Sequence, residues 1–551
     1  MSRQILGASV RRLGTRLGCV LALGLTAACG GTDPSSDGLF GDGSLGEGTL
    51  SLGARGPAVK AVYDYLARYG YFQNAELAKD FPWWQPMVPE PASPDIFDTN
   101  LELALTKYQK NSGLEPSGVL DIATREQMAL GRCGYPDSDP DATERVDKWA
   151  HFGCIPGCGW GDQTTITFGF PRDLSLGDLN GNGRRDAEDI TLTGQAILEG
   201  LQTSGGWGSA TDKSFQVRSA NIEVPINFVP QPAGRFGYGK TPSNPRIELD
   251  INHDFTHDEL VSFVRHEMGH VIGLDHSSLS LRNRNYFPIM FHAPAAARTT
   301  LKRDDRVAAN ILYNSWQRIS GPTAADVDVG GADVVWMVDT SGNAYIRSSG
   351  SWLQRPGPAA FKRIATCDYG RAAVAVGTNG RIYRYNGSWS ELPGNGRAIA
   401  VGCPVYGGSI WILGLNGYAW YHNGTTWVAR GGIRPATEID VDYAGRPWTV
   451  TGTNINNLNM LDFDGQWKLR VGLAQDIGLG GNPDTDFPYD ELWLTSSSDR
   501  IYVQNAQTAI DQAPYRAGFV EVGGRAKRIA VGATDVWVVN SSGNVYARRE
   551  L

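Results

Sequence analysis

From Ser315 onward the chain repeats itself, and this repetition limits what it can fold into more than any other feature. An apolar or Trp anchor is followed six residues later by a Gly or turn residue, and often nine later by an aromatic. The sets are Trp336/Gly342/Tyr345, Val374/Gly380/Tyr383, Trp411/Gly417/Trp420, Trp448/Asn454, Trp493/Asp499/Tyr502 and Trp537/Gly543/Tyr546. An Ile/Val-rich strand precedes each anchor, around Val327, Ile364, Ile399, Ile439, Ile477 and Ile529, and a further strand near Trp352, Trp389, Trp427, Trp467 and Phe519 closes the first five units. Four short strands per unit, at spacings of 37 to 45 residues, predict a six-bladed all-β propeller over 315–551. The sixth unit stops before its outer strand. Asn314-Ser315-Trp316-Gln317-Arg318 looks like Gly350-Ser351-Trp352-Leu353-Gln354, so residues 315–319 are expected to supply that strand. An open blade would leave an unpaired edge.

Chemistry concentrates upstream, in His266-Glu267-Met268-Gly269-His270-Val271-Ile272-Gly273-Leu274-Asp275-His276. Residues four apart on a helix share a face, so His266 and His270 aim at one point. Gly273 can take positive φ, end the helix and bring His276 in as a third nitrogen. Three neutral imidazoles with one open position suit catalytic zinc, and Glu267 stands where a general base reaches a water held there. Thr256-His257-Asp258-Glu259 is a capping box, and Leu260, Val261, Phe263 and Val264 give the helix an apolar face.

This motif resembles that of the metzincin metallopeptidases, which pair it with a downstream Met-turn. Pro288-Ile289-Met290-Phe291 fits that turn, with Met290 beneath the metal and not a ligand. Ser277 after the third histidine, and the segment Leu301–Tyr313, look like the matrixin branch, in which such a segment is the last helix of an α+β catalytic domain. The resemblance implies a zinc endopeptidase over 151–314. Ile166–Phe170 reads as its first strand, and Asn221–Phe228 and Arg246–Ile251 alternate with period two. Pro225 points to an irregularity or an exposed edge in Asn221–Phe228. The peptide is expected to enter antiparallel to an edge strand, taken as Arg246–Ile251. Residues 49–131 resemble the small helical peptidoglycan-binding-like domain of bacterial hydrolases and matrixin proregions, with a loose Pro-rich insertion from Pro82 to Pro94. Either a wall-binding module or a propeptide scaffold would account for them. Arg132-Cys133-Gly134-Tyr135-Pro136-Asp137 is similar to the matrixin cysteine switch, which implies Cys133 as a zinc ligand in a latent form and an Arg132–Asp137 pair holding the loop. Family members usually have proline at the position of Gly131 and valine at that of Tyr135. The proregion is thus expected to span 49–137, with a polar activation linker over 138–150. The propeller repeats resemble tectonin-type propellers, a family containing lectins and lipopolysaccharide binders.

Between the first strand and first helix of the catalytic region, Asp178, Asn180, Asn182, Asp186 and Asp189 fall at positions one, three, five, nine and twelve of a calcium loop. Gly183 is at six and the Arg184 carbonyl at seven. Such a lone loop is expected to stabilise. His253, His257 and His292 show no ligand spacing of their own.

A net charge of −8 without a basic block argues against nucleic acid as a partner. Arg3, Arg11, Arg12 and Arg16 precede an apolar run from Leu17 to Ala28, which reads as a signal peptide over 1–28. Leu25-Thr26-Ala27-Ala28-Cys29 resembles a bacterial lipobox, and residues 29–48 form a Gly/Ser/Asp-rich tether. The expected location is therefore an outer-membrane lipoprotein anchored through Cys29, or an extracellular protein, of a Gram-negative bacterium. Of the remaining cysteines, Cys154 and Cys158 are close enough to bridge. Cys367 and Cys403, at the ends of first strands one blade apart, are expected to form a disulfide. The expected partners are a protein or peptide substrate and, at the propeller or the helical domain, glycan, lipopolysaccharide or peptidoglycan. The rival readings are a surface adhesin or lectin, and a peptidoglycan-binding protein, in which proteolysis is secondary.

Overall fold

The computed structural model describes residues 48–82, 84–141, 160, 163–201, 206–211, 213–232, 234–240, 244–277, 288–293, 299–313, 316–330, 334–366, 372–402, 409–442, 445–452, 457–470, 472–480, 491–504, 519–532 and 535–549. The expected signal peptide, Cys29, most of the tether and activation linker, and Cys154, Cys158, Cys367 and Cys403 lie outside the described residues.

The first region is helical. Helix α1 (Pro57–Arg68) starts on a proline, whose missing N–H costs nothing at that position, and buries Val59, Val62, Tyr65 and Leu66. Helices α2 (Ala75–Asp80), α3 (Thr99–Asn111) and α4 (Ile122–Met128) are each capped by a side chain, those of Asn74, Asp98 and Asp121. The Pro-rich stretch is not loose. Its backbone is pinned by Met87 N–H to Gly70 O and Val88 N–H to Tyr71 O, Val88 joins the core with Leu66, Phe72 and Leu101, and Trp84 is buried.

The second region is a six-stranded sheet packed against helices. Strands β1 (Arg132–Cys133), β2 (Thr165–Gly169), β3 (Ser214–Val217), β4 (Val224–Val229), β5 (Arg235–Lys240) and β6 (Arg246–Asp250) run in the order β1-β5-β6-β4-β2-β3. Only β5 and β6 pair antiparallel; the other pairings are parallel. Two expectations change here. Arg246–Asp250 lies between β5 and β4 and offers no free edge. The edge is β5, and the chain's own β1 occupies it. Pro225 marks no exposed edge either: β4 is interior and begins only at Val224, after Asn221 turns the chain with a φ of 54°. Helices α5 (Ala187–Leu201), α6 (Trp207–Ala210), α7 (His257–Val271) and α8 (Arg303–Tyr313) complete this region.

Strands β7 to β30, within 317–549, form six four-stranded sheets. The first strands of the blades bring their charges together. Arg363 pairs with Glu438 at 2.5 Å and Asp326 at 3.3 Å, and Arg528 pairs with Glu438 at 2.9 Å and Asp476 at 3.3 Å. The outer-strand tryptophans work as latches: Trp389, Trp427 and Trp467 donate their indole N–H to the carbonyls of Arg355, Pro393 and Arg430, each on the preceding unit. The sixth blade closes as the repeat pattern requires. Strand β7 (Gln317–Ile319) pairs antiparallel with β30 (Val545–Arg549), Ile319 opposite Val545 and Gln317 opposite Ala547. Trp316 then donates to the Gly523 carbonyl, repeating the latch.

The closing strand follows directly on α8, so the ring is tied to the second region. Arg548 is buried and donates to the Asn310 side chain at 2.6 Å and to its carbonyl. One apolar cluster runs from Val264 and Met268 through Ala308 and Ala309 to Trp493, Ile529 and Val538. Trp316→Ala removes both the latch and a half-buried indole. We expect it to cost about 2 kcal/mol, which lowers the propeller's thermal midpoint by about 4–8 °C. An unchanged midpoint by scanning calorimetry would contradict this closure.

Candidate metal centre

Helix α7 is capped at both ends. The Thr256 hydroxyl accepts the Glu259 N–H, and the Glu259 carboxylate accepts the Thr256 N–H. From Leu260 to Val271 every residue is buried, so the helix is a core element and its polar side chains need internal partners. It ends in a Schellman arrangement: Gly273 takes φ 99°, its N–H reaches His270 O, and Leu274 N–H reaches Gly269 O. The turn returns the chain so that His276 faces the helix.

Each histidine is fixed through Nδ1. His266 Nδ1 lies 2.6 Å from Ile289 O, His270 Nδ1 2.8 Å from Leu274 O, and His276 Nδ1 3.0 Å from Asp137 Oδ1. The Nε2 atoms are thereby left to face one another. His266 and His270 Nε2 are 3.2 Å apart, and His276 Nε2 is buried with no hydrogen-bond partner among the described residues. The Cys133 thiol completes the group, and the four donor atoms lie within 4.8 Å of one another. An orphaned buried nitrogen among three imidazoles and a thiol fits a zinc ion, and the Nδ1 partners are of the kind that orient ligating histidines.

Glu267 borders this centre. Its Oε2 accepts the Cys133 thiol at 3.3 Å, and its Oε1 has no hydrogen-bond partner among the described residues. Burial pushes its carboxyl up to about 8. Burial and the Glu267 carboxylate likewise push the Cys133 thiol up, and a cation among the imidazoles would push it the other way. Beneath the histidines, a Cβ on Gly269 would drive into the Met290 sulfur, so glycine lets the methionine pack against the helix. The turn bearing Met290 is held by buried Asp305 of α8, which accepts the N–H groups of Ile289 at 2.8 Å and Met290 at 3.0 Å. Burial pushes the Asp305 carboxyl up to about 6 despite those donors.

The segment carrying Cys133 is locked by a buried ion pair. Arg132 donates to Asp137 Oδ1 at 2.6 Å and Oδ2 at 3.1 Å, lies 3.9 Å over the Tyr69 ring, and is 1% exposed. Burial would raise the Asp137 carboxyl, but Arg132, His276 and His292 hold it well below the usual range. The two departures from the family pattern have local reasons. A Cβ on Gly131 would collide with the Phe236 ring of β5. Tyr135 stacks flat on His270, with centroids 4.0 Å apart and 5° between planes. The structure brings together the four donors and the Arg132–Asp137 pair that the sequence singles out. Sequence reasoning misses the Asp137–His276 contact, the Tyr135 stack and the role of Asp305, none of which has a spacing signature.

In the expected calcium loop, Asp178 accepts the N–H groups of Asn182 and Gly183, and Asp189 those of Asn180 and Asp186. The Asn182 amide donates to Asp186, and the Arg184 N–H to the Asn182 side chain. Asp178, Asp186 and Asp189 are not drawn together as the zinc-type donors are. Arg185 anchors the loop to the carbonyls of Ile251 and His253 and to Asp254, just ahead of α7. His253 stacks on Phe236, and His257 lies beside Asp258 and Glu199. His292 is buried, with its ring 6.1 Å from that of His276.

Residues 55–128 match the family model of a peptidoglycan binding domain, and residues 362–551 that of the tectonin domain. Curated relatives are proteases. Metalloendoproteinase 1-MMP of Arabidopsis thaliana is 25% identical over 258 residues, which cover 42% of this chain and 62% of that one. Metalloendoproteinase 1 of Glycine max is 27% identical over 270 residues, covering 46% and 80%. Matrix metalloproteinase-19 of Mus musculus is 38% identical over 237 residues, covering 42% and 40%. The chain therefore spans about three fifths of the first relative and two fifths of the mouse protein. It joins a helical peptidoglycan-binding-like domain, a matrixin-like region and a six-bladed tectonin-type propeller.

Proposed function

We propose that the chain is a zinc-dependent endopeptidase made as a latent precursor. The observation that carries this reading is the convergence of Cys133, His266, His270 and His276 within 4.8 Å, beside the buried carboxylate of Glu267. The three histidines would hold the ion, whose Lewis acidity would serve to polarise a scissile carbonyl. The protein's own groups do the rest. Once Cys133 withdraws, the edge of β5 is free to hold an extended peptide by backbone hydrogen bonds. Glu267 takes a proton from the attacking water and passes it to the leaving amine. With Cys133 in place, its sulfur occupies the position the reactants need and β1 occupies the edge. The test is casein hydrolysis by the full chain before and after limited proteolysis of the 138–150 linker, with zinc measured in parallel. Hydrolysis insensitive to chelation overturns the reading.

The finer parts of the reading rest on sequence. Residues 1–28 direct export, and Cys29 either carries lipid at the outer membrane or leaves with a freely secreted protein. The propeller binds glycan, lipopolysaccharide or protein. The latching tryptophans are committed to blade contacts, so that binding would use other residues. The match over 55–128 also supports peptidoglycan binding by the helical domain, and a pull-down of the full chain with sacculi tests it.

The loop of Asp178, Asn180, Asn182, Arg184, Asp186 and Asp189 binds calcium on this reading and stiffens the entry to α7. Calcium at ~100-fold above its Kd should then stabilise the fold by ~2.7 kcal/mol, read as a rise in thermal midpoint reversed by a calcium-selective chelator. Asp178→Ala should abolish that rise. A midpoint indifferent to calcium would remove the ion from the account.

A further inference from the structure

On the edge strand β5, Tyr238 and Lys240 project to the face covered by the proregion, two residues apart as strand geometry requires. Tyr238 packs there with Phe81, Cys133 and Tyr135 in a buried apolar cluster. Lys240 is also buried, and its ammonium lies 2.6 Å from the carboxylate of Asp80, the last residue of α2. Among the described residues Asp80 is its one carboxylate partner. Its other neighbours are the rings of Phe81 and Tyr238, each 5.8 Å away. Arg246 approaches the same Asp80 oxygen at 4.0 Å but keeps Glu248 of its own strand at 2.7 Å. When the proregion leaves, Arg246 remains paired and Lys240 does not.

We propose that Lys240 is a specificity determinant that accepts an acidic side chain of the substrate, and that Asp80 fills this subsite in the latent chain. The inference rests on the peptidase reading and adds a substrate class to it. Its place in the cleft follows from register. Cys133 pairs with Gly237, so the reacting bond lies at the level of Gly237. A peptide running antiparallel to β5 passes Gly239 and Lys240 on its amino-terminal side. Three strand residues span about 10 Å, which places the acidic residue roughly three positions before the scissile bond. Between it and the bond the strand offers the ring of Tyr238, which in the latent chain packs on Phe81, Cys133 and Tyr135. The preferred substrate therefore carries Asp or Glu upstream of apolar residues. A neutral or basic residue there would leave the ammonium pressed against the sheet without a counter-charge.

The experiment uses the full chain, zinc-loaded and with its proregion released by limited proteolysis. Fluorogenic peptides of one apolar sequence carry Glu, Gln or Lys at each of the four positions before the cleaved bond. At one position Glu should exceed Lys in kcat/KM by ~10-fold or more, the scale of a close charge pair at an interface. Lys240→Glu should invert the order, and Lys240→Met, which keeps the stem, should level it. Cleavage without a charge preference, or a preference unchanged in both variants, overturns this inference alone. Absence of any Glu267-dependent cleavage overturns the peptidase reading and this inference with it.

Discussion

Cys133→Ser in the uncleaved precursor should turn a silent protein into an active one. The serine hydroxyl is neutral, and oxygen is a poor match where sulfur meets zinc. Four-ligand zinc sites bind with about 10–16 kcal/mol, so the share of a single ligand is of order 3 kcal/mol. Removing it shifts the balance between closed and open cleft about a hundredfold. What remains is the scaffold of the lock. The Arg132–Asp137 pair, the Asp137–His276 hydrogen bond and the Tyr135 stack on His270 all survive the substitution. Activity is therefore expected to rise by about two orders of magnitude over the wild-type precursor and to rise further on cleavage. Peptide hydrolysis by the intact chain, checked on a denaturing gel for absence of processing, measures this. A Cys133→Ser precursor as silent as wild type would show that the scaffold and not the sulfur enforces latency.

Much of this centre was legible in the sequence because it is built locally. The eleven residues from His266 to His276 encode helix, turn and three donors by spacing alone, and Gly273 is readable because a left-handed turn favours glycine. The propeller was legible for a different reason. Six repeats report the same blade, so a missing strand at one end and a spare one at the other point to each other. Long-range placement was not legible. Strand β6 has an alternating apolar pattern, yet that pattern describes two faces and says nothing of which neighbour lies at each edge. Strand β5, with glycines at 237 and 239, has a weaker strand signal and proved to be the edge. Asp305 reads as one acid in an amphipathic helix. Only the fold shows that its carboxylate holds the Met290 turn beneath the histidines. Nor does the repeat spacing disclose that Trp389, Trp427 and Trp467 latch blade to blade through their indole N–H groups.

Glu267→Ala is the variant expected to silence the released enzyme while leaving its metal in place. The side chain is fully buried, and it lies next to His266 in the chain without competing for its position among the donors. Nothing in the histidine geometry depends on it, because each ring is held through Nδ1 by Ile289 O, Leu274 O or Asp137. Zinc content should therefore stay at wild-type stoichiometry. The rate should not. Among the described residues its Oε1 lacks a hydrogen-bond partner, and its Oε2 accepts the thiol that must depart, so the carboxylate becomes available to a water in the opened cleft. Loss of a positioned general base costs ~10²–10⁴-fold, and we expect kcat to carry that loss with KM little changed. Glu267→Asp, which withdraws the carboxylate by one methylene, should fall between the two. A Glu267→Ala enzyme within about threefold of wild type would take Glu267 out of the reaction, because no general base is that dispensable.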